Sequence, residues 1–165
     1  MKYTIKLLSL FVFVSTATTA QEVTIPENVQ LKVAEDYKKT EKLVLESIDY
    51  LYNSPVSENE VKRIKLTAFV LEWAGGSPTV TIDITEGISP LKSEDCLLMF
   101  IGGWIKHSLE NNSKDKVDCA VAAVEYTIKF YEKNVDAIGK QSEMKKLIKR
   151  QKKGNLREYI ASILE

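Results

Sequence analysis

Catalytic raw material is scarce in this chain. Its 165 residues include one histidine, His107, and two cysteines, Cys96 and Cys119. A single histidine makes the commonest general base available only once. A glycine-rich phosphate loop, a paired-cysteine zinc motif and a His-Glu-x-x-His helix are all missing. So is the Gly-x-Ser-x-Gly turn that presents a serine nucleophile. Two cysteines are too few for a disulfide framework, since small exported domains that depend on one usually carry four or more. Neither charge sign is in excess, with 23 basic and 23 acidic side chains. No apolar run reaches the roughly 20 residues that a membrane-spanning helix needs.

What is present begins at the amino end. Met1 to Ala20 has the three-part layout of a secretory signal peptide. Lys2 and Lys6 give a positive start, Leu7 to Val14 is apolar apart from Ser9, and Ser15 to Ala20 is small and weakly polar. A cut after Ala20 puts Thr18 at the −3 position and leaves 145 residues, the size of one ordinary domain. The expected product is secreted or periplasmic. Neither cysteine directly follows the cut, so nothing marks a lipid-bearing N-terminal cysteine. A chain of this length buries a full core without disulfides or metals. Its 44% hydrophobic and 28% charged content is that of a soluble globular protein.

The balanced total hides an asymmetry. Residues 21–95 carry 8 basic and 14 acidic side chains, whereas residues 96–165 carry 13 and 9. Residues 140–157 alone hold eight positive charges against Glu143. Such a run reads first as a solvated helix face. It has no interleaved aromatics for stacking bases, which argues against nucleic acid. An anionic lipid or polymer surface stays open, although three apolar residues (Met144, Leu147 and Ile148) make a thin face for a membrane-seeking helix. Asn111-Asn112-Ser113 is a glycosylation sequon, meaningful only in a eukaryotic secretory pathway.

Periodicity and caps predict an all-α fold. Residues 21–33 read as a short arm and residues 34–165 as a single helical domain. A first helix is expected over 34–53, with Tyr37, Val44, Ile48 and Leu51 on one face, ended by Ser54-Pro55. Ser57 and Glu60 read as a capping box opening a second helix. That helix buries the stripe Val61, Ile64, Ala68 and Leu71 and stops at Gly75. Val80, Ile82 and Ile84 alternate with polar residues across Thr79–Thr85. A lone strand has no partner, so the segment is expected to be an extended linker laying these three residues against the helices. Ser93 caps a third helix running to about Asn111, apolar on nearly every side from Leu97 to Ile105. A fourth runs from about Asp115 to Asn134 on Val117, Val121, Val124, Ile128 and Tyr131. A short basic helix over 141–153 stops at Gly154, and Asn155 with Glu158 caps a last turn or two.

The expected architecture is therefore two antiparallel helix hairpins plus a short basic C-terminal helical segment, packed as a bundle or a short solenoid. The hairpins, near 34–75 and 93–134, have similar lengths. Ile48 and Ile105, then Val61 and Val117, lie 57 and 56 residues apart, as in helical repeats. Two ordinary hairpins would give the same pattern.

Two constellations have any bearing on chemistry. In an antiparallel third–fourth hairpin, positions whose numbers total about 226 lie level, which sets His107 beside Cys119. That pair is either a nucleophile with its base, half of a metal site, or a polar histidine next to an inert buried thiol. No third or fourth ligand is placed with it, so no metal and no cofactor are expected. Gly102-Gly103 interrupts the most apolar helix at a cost of roughly 1 kcal/mol per glycine relative to alanine. Either another helix approaches closely there, or a cleft opens that Trp73, Phe100 and Trp104 line. The candidate binding residues are accordingly Trp73, Phe100, Gly102, Gly103, Trp104 and His107; no catalytic residue is named.

Several short motifs carry a resemblance. Asp36-Tyr37-Lys38 opens the first helix, and Tyr50-Leu51 precedes Ser54-Pro55-Val56. Phe69, Leu71 and Trp73 precede Gly76-Ser77-Pro78, and the chain ends lysine-rich behind a secretory leader. Together these resemble a group of small, secreted helical proteins of Bacteroidota-type bacteria. The resemblance implies export and an all-helical fold, and it brings no catalytic residues with it. The functional expectation is an exported, soluble, non-enzymatic module that binds a protein or surface partner. The alternative is a carrier of a small apolar ligand, or an enzyme, with a pocket near Gly102 and Trp104.

Overall fold

Seven helices and no strand make up the secondary structure of residues 23–164, the part described by the computed structural model. They are α1 (Ala34–Lys39), α2 (Glu41–Asn53), α3 (Glu60–Gly76), α4 (Glu94–Asn111), α5 (Lys116–Ile138), α6 (Ser142–Lys152) and α7 (Leu156–Leu164). The chain is all-α, as its stripes and caps predict. The leader and its cleavage point lie outside the described residues.

The core forms around α4, the most apolar helix. The Ser93 hydroxyl accepts the Cys96 N–H at 3.3 Å and so starts the helix where the sequence placed it. Cys96, Leu98, Met99, Phe100, Trp104 and Ile105 are all buried. α5 packs along α4 as the other arm of a hairpin, while α2 and α3 cover another side. Asp115 opens α5 by accepting the Asp118 N–H at 2.7 Å. The helix continues past the expected end at Asn134 to Ile138, and Val135 and Ile138 pack onto the core. α6 and α7 then close against α5, with Met144, Leu147, Leu156 and Ile160 buried. Gly154 makes the turn between them at φ +71°, a left-handed conformation that a side chain strains.

Local expectations fail in instructive places. The first helix is two, because Thr40 (φ −100°, ψ 3°) breaks it. The Thr40 hydroxyl donates to the Asp36 and Tyr37 carbonyls at 2.8 and 3.1 Å and accepts the Trp73 indole N–H at 3.1 Å. A side chain that bonds back to the preceding turn and outward to another helix fixes a bend. The Ser57–Glu60 capping box does not form: α3 starts at Glu60, preceded by Asn59 in a left-handed conformation, with no side-chain cap. Gly75 is not a left-handed stop. The helix passes through it to Gly76, where a Cβ would collide with the Tyr37 ring. In the linker Val80 is buried and Ile82 half-buried, but Ile84 points to solvent. Asn155 precedes α7, yet its side-chain oxygen is buried without a hydrogen-bond partner.

The largest departure is the orientation of α3. Its buried residues are Arg63, Leu66, Phe69, Val70 and Trp73. The expected core stripe, Val61, Ile64, Ala68 and Leu71, faces out. α3 carries two apolar stripes, and the one holding both aromatics, the larger side chains, packs against α2 and α4. Burial of Arg63 is satisfied by the end of α2, where its guanidinium donates to the Leu51 and Ser54 carbonyls at 3.1 and 3.2 Å and to the Ser54 hydroxyl at 2.9 Å. The two hairpins consequently differ at matched positions: Val61 is exposed where Val117 is half-buried.

From Val23 onward the arm packs against the core, which its polar composition does not imply. Val23 is buried, and Ile25, Val29 and Leu31 pack against the core. The Tyr37 hydroxyl donates to the Leu31 carbonyl at 3.0 Å, tying the arm to α1.

Candidate functional site

The glycine pair on α4 marks close approach on two sides. A Cβ on Gly102 would sit 3.0 Å from Ile48 of α2, and one on Gly103 would sit 3.0 Å from the Ala123 Cα and 2.9 Å from the Tyr126 Cβ of α5. Gly103 and Ala123 obey the expected register. Phe100 and Trp104, 5.8 Å apart between ring centroids, are buried beside the pair. The space where an apolar ligand would lie is thus occupied by neighbouring helices.

Trp73 belongs to a different corner. Its indole N–H donates to the Tyr37 carbonyl at 3.2 Å and to the Thr40 hydroxyl, and Tyr37 meets its ring edge-on at 6.2 Å. These bonds fasten the end of α3 to the bend between α1 and α2. His107 and Cys119 do not pair through hydrogen bonds. The Cys119 thiol lies 3.3 Å from the Ser108 hydroxyl and 3.8 Å from the Ser113 carbonyl, whereas His107 Nδ1 lies 3.3 Å from the Asn111 amide. One residue of helical rotation, about 100°, replaces the histidine by a serine at the thiol. Among the described residues no group of three or more His, Cys, Asp or Glu side chains is placed to hold a metal ion.

Polar groups inside the helical contacts act structurally. Lys106 bridges Asp49 of α2 at 3.1 Å and Glu110 at 2.8 Å. Burial lowers its pKa, but bonds to Glu110 and Asp49 outweigh this and hold it above the ordinary lysine value. Tyr126 stacks on Tyr52 at 4.2 Å, and burial of its hydroxyl, which has no hydrogen-bond partner, pushes its pKa up. Burial likewise raises the Cys96 thiol pKa, away from the thiolate that a nucleophile requires.

An accessible apolar stripe lies on α3. Val61, Ile64 and Leu71 are 69%, 60% and 43% exposed, and Ala68 lies exposed between them. Spacings of three, four and three place them on one face. At its N-terminal end this stripe borders a groove of about 550 Å³ between the arm and the helix, lined by Val23, Ile25, Val61, Leu66, Lys62 and Lys65 among others. The Lys62 ammonium sits 4.3 Å above the Tyr50 ring, which holds it at the groove edge. Sequence reasoning missed this surface because it assigned the stripe to the core. The signal that would have corrected it was the competing Leu66, Phe69, Val70, Trp73 stripe in the same helix.

No helix among the described residues is long and apolar enough to cross a membrane. No family model matches the chain, and neither the curated proteins nor the solved structures contain a detectable match to it.

Proposed function

We propose that this is an exported, non-enzymatic binding module whose partner is a protein that docks on α3. The observation that carries the reading is the apolar stripe Val61, Ile64, Ala68 and Leu71, left without a covering element among the described residues and bordering the groove beside Val23. A run of apolar side chains at helical spacing is the surface that an apolar partner segment covers. Lys62 and Lys65 flank the groove, and Lys65 makes no ion pair among the described residues. Glu60 also lines the groove, so the complementary partner segment is defined by its apolar anchors, with carboxylates placed where they reach Lys62 and Lys65. The leader layout of Met1 to Ala20 supports export; the filled space around Gly102 supports binding on the surface over binding within the core.

The test is a photo-crosslinking amino acid at position 64 in the producing cell, with Ile64→Glu/Leu71→Glu as the paired variant. The expected result is one crosslinked partner protein in the exported fraction. Its capture should be lost in the double variant and weakened when Lys62 and Lys65 become glutamine. Stability should change by no more than about 0.5 kcal/mol per site, because these side chains are exposed. A crosslink only to a second copy, or capture that ignores both sets of substitutions, would overturn the reading. Absence of the protein from the exported fraction would overturn its export, and retention of Met1 there would overturn cleavage of the leader.

A further inference from the structure

The basic end of the chain forms a hollow that the sequence alone does not reveal, and it lies apart from α3. Lys146, Lys149, Arg150 and Lys153 recur at spacings of three, one and three, on one face of α6 and its end. All four are exposed, and none forms an ion pair among the described residues. Gly154 then reverses the chain, its N–H donating to the Gln151 carbonyl and that of Asn155 to the Arg150 carbonyl. The reversal brings Tyr159 of α7 back against α6, where the Arg150 guanidinium lies 4.4 Å from its ring centroid. Tyr159 is fixed from its far side, since its hydroxyl donates to the Gly87 carbonyl at 3.1 Å. The four cations and Tyr159 line a hollow of about 280 Å³ that contains no carboxylate.

We propose that this hollow binds the phosphate groups of a polyvalent phosphate ligand. The polar side-chain groups of its helical wall are all ammonium or guanidinium donors, which selects an anion. Four cations match several phosphate charges better than one carboxylate, and the Arg150 fork suits phosphate oxygens. Arg150 already covers the Tyr159 ring, so the ring is not a platform for a base. The apolar side of α6, Met144 and Leu147, is spent against the core, so a lipid would be held by its headgroup and not by insertion.

Calorimetric titration with sodium tripolyphosphate and co-sedimentation with phosphatidylcholine vesicles containing phosphatidylglycerol separate the two sources. Both are run on the protein, on Lys149→Gln/Arg150→Gln, and on Lys38→Gln/Lys39→Gln, which removes the same charge from exposed lysines of α1. Saturable tripolyphosphate binding that weakens about tenfold or more in the α6 variant, and little in the α1 variant, is the expected result. Vesicle binding with the same dependence and no tripolyphosphate binding assigns the phosphate to a lipid headgroup. Equal weakening by both variants reduces the hollow to general electrostatics and overturns the proposal, as does absence of binding to both probes at low salt. Lys146→Gln/Lys153→Gln repeats the test should the first variant lose its circular dichroism signal.

Discussion

Gly103 and Ala123 meet backbone to backbone: a Cβ added to Gly103 would stand 3.0 Å from the Ala123 Cα. This contact accounts for Gly103, and the approach of Ile48 to 3.0 Å from a Cβ on Gly102 accounts for its neighbour in the most apolar helix. Close approach of α5 on one side and α2 on the other offsets their conformational cost with packing.

Gly103→Ala should destabilise the protein by about 1–3 kcal/mol through overpacking, less roughly 1 kcal/mol gained in helix propensity. Its obstruction includes backbone, which cannot rotate away. Gly102→Ala meets only the Ile48 side chain at 3.0 Å, so it should cost less. Urea midpoints of the two variants decide the matter; a Gly103→Ala protein more stable than the parent would refute the close-packed reading.

Arg63 should matter more than its partner Asp95. Arg63→Met keeps the apolar stem but leaves the Leu51 and Ser54 carbonyls without their donor, at a cost of about 1–3 kcal/mol. Asp95→Asn loses an ion pair of 3.9 Å whose carboxylate is 43% exposed, worth no more than about 1 kcal/mol. Chemical denaturation of both variants should show that order, and the reverse order would mean that the ion pair, not the cap on α2, retains the arginine.

Both cysteines should be silent to a thiol reagent in the native protein and should titrate as two thiols after unfolding without reductant. They are free and buried. Cys119 touches Ser108, and Cys96 lies 12 residues away along α4, about 18 Å at 1.5 Å rise per residue. A disulfide needs Cα atoms within about 7 Å. A near-zero titre in the unfolded monomer would show that the α4–α5 register is different.

Caps and periodicity made much of the architecture legible. Ser93, the α4 apolar run, the α6 grip and Gly154 act locally, and local hydrogen bonding and backbone strain decide them wherever the helices pack. The register that sets Gly103 against Ala123 also followed, because a tight antiparallel hairpin fixes which levels meet. One residue of rotation was beyond that reasoning. It separates His107 from the Ser108 that meets Cys119, so that a serine stands at the thiol where the register set the histidine.

Sequence by itself determined that this chain is helical and where most helices begin and end. Tertiary structure decided which of the two apolar stripes of α3 is buried, since that choice depends on how much surface α2 and α4 can cover at once. It also decided that Thr40 bends the first helix, because the Trp73 indole that completes its bonding lies 33 residues away. Only the chain reversal at Gly154, seen with α7 in place, brings Tyr159 to the cations of α6. Helix propensity and capping are properties of neighbours in sequence; burial, and the surfaces left over for binding, are settled by contacts between residues far apart.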